Sequence, residues 1–186
     1  MDQRGNIPVS HVIAGGETRT VIDLRVDDLA FFEGNAIVRP VNAMLQATTP
    51  VMRRLEQAAG PQLSNIVRLA QPLPVGAAVV TGAGRLAVEL LVHGVVASHE
   101  EPVSSATVRL ALMSAMQRAV AFEMRSVAIA PFGLGAGNLE IEDSADIMID
   151  VLREHLARAA FPASVLIVAE TELELEALRH RMRTRS

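Results

Sequence analysis

Residues 89–96 read ELLVHGVV, an almost unbroken apolar run. Successive side chains of a strand point to opposite faces, so a strand apolar at every position must be covered on both sides. That demand restricts the chain to architectures in which a sheet is sandwiched between layers. The flanks supply the layers. After Gly82-Ala-Gly84 and the strand, Pro102-Val-Ser-Ser opens a long helix whose apolar positions Val108, Leu112, Ala115, Met116 and Ala119 recur at helical spacing.

The same alternation extends through the chain. Pro8–Ile13 and Thr18–Val26 read as neighbouring strands or a hairpin around the turn signal Gly15-Gly16. Gly34–Val38 reads as a short buried strand. Pro50 begins a helix to Ala59, stopped by Gly60-Pro61, and a second helical piece covers Pro61–Ala70. Val79-Val80 is a short strand. Residues 126–130 form another, followed by a helix from Glu142 with Ala145, Met148, Ile149, Leu152 and Leu156 on one face. Ser164–Val168 is a last strand and Glu172–Met182 a last helix. Strands alternating with helices predict an α/β domain with a mostly parallel sheet and helices on both faces. Residues 1–186 read as a single domain, with 1–17 as an N-terminal extension or first strand and 183–186 as a solvated basic tail.

Composition narrows the function. Half of the 186 residues are hydrophobic and the net charge is −4, which gives no strong nucleic-acid signal. There is no cysteine, hence no disulfide, zinc–thiolate site or cysteine nucleophile. Neither a secretory start nor an apolar run of membrane-spanning length is visible, so a cytoplasmic protein without a membrane partner is expected. Trp and Tyr are absent and Phe occurs only five times, so a planar base must stack on Phe, Arg or aliphatic carbon.

One loop carries candidate chemistry. Residues 130–138 read APFGLGAGN, with Gly133, Gly135 and Gly137 alternating between a strand and a helix, the usual setting of a phosphate cradle. A tight connection is the plainer reading of the same glycines. His93 within its apolar strand reads as a core histidine bonded to backbone. His99-Glu100-Glu101 lacks fixed ligand geometry and reads as a solvated loop. No metal or cofactor is expected.

Several segments, in order, resemble the macro domain family of ADP-ribose-binding modules. They are Val26-Asp-Asp-Leu29, Gly34-Asn-Ala-Ile-Val-Arg-Pro-Val-Asn42, Pro74–Gly82, Leu86–Val96, Ser126–Leu139 and Glu142-Asp-Ser-Ala145. The resemblance implies a three-layer α/β/α sandwich around a mixed, mainly parallel sheet. It implies that Asp28, with the Leu29 backbone, reads adenine, that Asn42 reaches the distal ribose, and that Gly133, Leu134, Gly135, Ala136, Gly137 and Asn138 wrap the pyrophosphate.

The chain also departs from that pattern. Arg39 stands where the family has an Asn, and either contacts phosphate bidentately or is an ordinary exposed arginine. The first ligand loop, Gln46-Ala-Thr-Thr-Pro-Val-Met-Arg53, has no glycine and no acid, with Met52 near the acidic position. Leu134 replaces a hydroxyl, and Glu170 falls where an aromatic often stands. These features describe a divergent, bacterial-type member that binds ADP-ribose or a related adenine nucleotide without efficient catalysis. Two alternatives stay open: a ligand-free scaffold acting in protein interaction or homo-oligomer assembly, and a weak hydrolase of ADP-ribosyl esters or O-acyl-ADP-ribose.

Overall fold

The structure, a computed structural model, describes residues 9–15, 18–70, 72–134 and 139–184. Seven strands form one sheet: β1 (Val9–Gly15), β2 (Thr18–Val26), β3 (Gly34–Asn42), β4 (Ala78–Gly82), β5 (Val88–Ala97), β6 (Ser126–Ile129) and β7 (Ser164–Ala169). Five helices accompany them: α1 (Pro50–Ala59), α2 (Pro61–Leu69), α3 (Ser105–Ala121), α4 (Ile141–Leu156) and α5 (Glu172–Thr184). A short 3-10 turn covers Leu29–Phe31.

The strand order is β1-β2-β7-β6-β3-β5-β4. The five inner strands run parallel, and the edge strands β1 and β4 pair antiparallel with β2 and β5. The sheet is therefore mixed and mainly parallel. Each inner strand splits its side chains between two cores, as period-two geometry requires. Ala36 and Val38 join α3, α4 and α5 on one face; Ile37, between them, joins Leu55 and Leu63 of α1 and α2 on the other. The result is an α/β/α sandwich.

Local signals explain the helix starts. Thr49 caps α1 by accepting from the Met52 N–H at 3.2 Å, and Pro50 follows at the first helical position, where its missing N–H costs nothing. Ser104 and Thr107 cap α3 reciprocally, with N–H to oxygen distances of 3.2 and 2.9 Å. Glu142 and Asp143 in the first turn of α4 suit the positive end of its dipole.

The strand predicted to stop at Val38 continues to Asn42. Arg39 and Pro40 look like terminators, yet β6 pairs with β3 only through Ala36–Val38, so beyond Val38 that side of β3 has no ladder. Pro40 therefore removes no needed sheet bond. On the other side, Arg39 and Pro40 pair in register with His93 and Gly94 of β5.

Candidate functional site

Parallel strands deliver their following loops to one rim, where ligands of open α/β sheets characteristically bind. Here the rim gathers the start of the 27–33 segment after β2, residues 43–49 after β3, 130–134 after β6 and 170–171 after β7.

Asp28 caps the 3-10 turn: its Oδ1 accepts from the Ala30 N–H at 3.0 Å. The residue is exposed and lines two clefts of about 240 and 420 Å³ on either side of the turn. Phe31, 79% exposed, lines both clefts as well. Leu29 is buried in the α1-side core, so only its backbone is at hand.

Asn42 organises the loop that follows it. Its Oδ1 accepts from the N–H groups of Met44 (2.9 Å) and Gln46 (3.0 Å), and its Nδ2 donates to Gln46 Oε1 at 3.0 Å. The loop closes on itself through Leu45 N–H to Asn42 O (2.9 Å) and Asn42 N–H to Gln46 O (3.0 Å), with Leu45 at φ +60°. The loop thus spends the N–H groups of Asn42, Met44, Leu45 and Gln46 on its own acceptors.

Arg39 corrects both sequence expectations. It is neither exposed nor available to a phosphate: its relative exposure is 0%. Nε donates to His93 Nδ1 (2.9 Å), Nη1 to Glu56 Oε1 (2.7 Å) and Nη2 to Leu45 O (3.2 Å). The guanidinium is thus the internal strut of the rebuilt loop. His93 is also corrected, since its partners are side chains rather than backbone. With Nδ1 accepting from Arg39, the proton must sit on Nε2, which donates to Thr81 Oγ1 at 2.8 Å; Thr81 in turn donates to Gly82 O at 3.1 Å. Burial first, then the Arg39 charge, hold the His93 pKa well below its ordinary value, so the ring is neutral. Burial also lowers Arg39, against the opposing pull of Glu56.

Across the rim, Gly133 has φ +88°, and a Cβ there would lie 2.6 Å from Leu139 Cδ1 and 3.0 Å from Val108 Cγ2. The loop is held to α4 by Ser144 Oγ donating to Phe132 O at 2.6 Å. Leu134 is half-buried and lines a narrow crevice against α4. Gly135, Ala136, Gly137 and Asn138 lie outside the described residues. At the end of β7, Glu170 donates its N–H to Glu174 Oε2 at 2.7 Å. Burial and the Glu174 charge raise the Glu170 pKa, while Arg54 on α1 opposes them. Among the described residues no group of three or more His, Asp or Glu side chains converges to hold a metal.

The fold recurs in known proteins. A sequence profile described as Macro domain matches residues 38–148. The chain belongs to the macro domain family. The macro domain here is 27% identical over 154 residues to an uncharacterised protein of Mycobacterium tuberculosis, covering 82% of this chain and 43% of that one. It thus spans less than half the length of these mycobacterial relatives. It is 26% identical over 168 residues to a Citrobacter rodentium protein named O-acetyl-ADP-ribose deacetylase, covering 87% of this chain and 88% of that one. Its fold superposes with a TM-score of 0.80 on a mutant of the Oceanobacillus iheyensis macrodomain solved with ADPR, at 17% identity and coverage of 95% and 98%.

Arg39's partners were not legible from sequence, because Leu45, Glu56 and His93 lie in the loop after β3, in α1 and in β5. Pro50 alone marked the start of α1 in the sequence; a Thr directly before it is the signal that would have found the Thr49 cap.

Proposed function

We infer that this macro domain binds ADP-ribose or a related adenine nucleotide at the rim and holds it without efficient hydrolysis. The observation that carries the reading is the placement of Asp28 and Gly133 at one rim, after β2 and β6, with only β7 between those strands. Asp28 is an acceptor-only group suited to an exocyclic amine, and the exposed Phe31 beside it offers the base a stacking face in a chain without Trp or Tyr. The positive φ of Gly133 turns the backbone as an anion-holding loop requires. Relatives support the ligand class: one macrodomain of this fold was solved with ADPR, and one relative is named for an ADP-ribose ester.

The rebuilt loop after β3 favours binding over chemistry. Met52, near the position of the family's acid, is buried in the core, and Asn42 spends its amide within the loop. Titration calorimetry with ADP-ribose, ADP, AMP and NAD tests the binding. Saturable heat with ADP-ribose is expected; no heat with any of the four at millimolar ligand removes the reading. Release of ADP-ribose from O-acetyl-ADP-ribose faster than from an Asn42→Ala control would overturn the absence of catalysis.

A further inference from the structure

α3 carries apolar side chains on its outer as well as its inner face. Val108, Ala111, Leu112, Ala115, Met116 and Ala119 fill the main core from its inner face. Its outer face carries Leu110, Met113, Gln117 and Val120, of which Leu110 is 53%, Val120 40% and Met113 39% exposed. Single exposed hydrophobics are normal on any surface, but a row of them along one helix is the mark of a face that something covers.

The row reads the same in both directions. Its steps are three, four and three residues, so an antiparallel copy of α3 crossing near Ala115 sets Leu110 against Val120 of the second copy and Met113 against Gln117 of the second copy. No charge interrupts it. Arg109 beside the row is drawn to α4, 3.9 Å from Asp150 and 3.8 Å from Glu154, and Arg118 Nε donates to Ala78 O at 2.9 Å.

The neighbouring charges fit the same two-fold axis. A groove of about 220 Å³ runs between α3 and the end of α4, lined by Met113 and Gln117 on one side and by Glu154 and Arg158 on the other. The axis that exchanges Met113 with Gln117 also places Glu154 opposite Arg158 of the second copy, twice by symmetry. A self-complementary surface of this kind is what an isologous dimer needs. We propose that the outer face of α3 and the adjoining groove form a homodimer contact, with a second copy of this chain as the partner. None of these residues lines the clefts around Asp28, so assembly leaves the ligand rim open.

Sedimentation velocity on the full chain, without ligand, tests the contact. A reversible dimer is expected at concentrations of about 100 µM. Leu110→Glu and Val120→Glu, both at exposed positions, should each weaken it at least about tenfold. Arg158→Glu should weaken it by setting like charges together, and the exchanged pair Glu154→Arg with Arg158→Glu should restore it. A merely structural role for these charges predicts no restoration. Because the chain has no cysteine, a Met113→Cys/Gln117→Cys variant should cross-link to a dimer under mild oxidation. A monomer across this range, a dimer indifferent to Leu110→Glu and Val120→Glu, or a charge exchange that does not restore association would each overturn the proposal.

Discussion

Arg39 Nη1 lies 2.7 Å from Glu56 Oε1, tying the buried middle of the sheet to α1 behind the first loop of the rim. Arg39 is fully buried while the Glu56 side chain keeps 21% of its exposure, so the pair is anchored on one side and reached by water on the other. Removing the carboxylate leaves a buried guanidinium with only His93 and the Leu45 carbonyl as partners. Glu56→Leu is therefore expected to destabilise the fold by about 2–4 kcal/mol, and Arg39→Met with Glu56→Leu by less than Glu56→Leu alone. Urea unfolding of both single variants and the double variant measures this; a double-variant loss equal to the sum of the two single losses would mean that the pair is not coupled.

The neutral His93 makes stability depend on pH. Its folded pKa lies below the ordinary 6.5, so in the window beneath 6.5 the unfolded chain binds the extra proton. Stability rises with pH through this window, by up to about 1.4 kcal/mol per pH unit for one such group, and the contribution is flat below the folded value. His155, lowered mainly by burial, adds a slope of the same sign. Glu170 acts oppositely: its folded pKa is raised above 4.5, so its contribution is lost as pH rises through the folded value. Melting temperatures from pH 7 to pH 5 should fall in the parent and fall less steeply in His93→Gln.

Gly133 is where a side chain conflicts with both backbone and space. Gly133→Ala forces φ +88° on a residue with a Cβ and pushes that Cβ toward Leu139 and Val108. A loss of about 1–3 kcal/mol is expected in thermal or urea unfolding, together with weaker ADP-ribose binding. An Ala variant as stable as the parent would show that the turn relaxes freely.

Asp28→Asn keeps an Oδ1 able to cap the Ala30 N–H, so stability should hardly move. It replaces an acceptor-only group with one that also donates. ADP-ribose affinity is expected to fall about tenfold, and Phe31→Ala to lower it about three- to tenfold with ribose 5-phosphate binding unchanged. Calorimetry on the two variants separates a reader of the base from a surface turn.

Most of the fold was legible because its signals are local. ELLVHGVV announced a strand buried on both faces, and it is β5; the helical spacing of Val108, Leu112 and Ala115 announced α3. The limits of β3 were not legible, because Arg39 and Pro40 end a strand in isolation and continue one when β6 stops alongside Val38. The site divides in the same way. The order of motifs put Asp28 after β2 and Gly133 after β6, and both follow those strands. The fate of Arg39 was not legible.

Period, caps and turn residues thus determined which segments become strands and helices, since each depends on neighbours within a few positions. Tertiary structure alone decided that Arg39 is an internal strut and not a phosphate clamp. Its three partners come from residues 6, 17 and 54 positions away, and they meet only after β3, β5 and α1 have packed. Burial then keeps His93 neutral beside the guanidinium, and a charge that the sequence offers to solvent is withdrawn into the sheet.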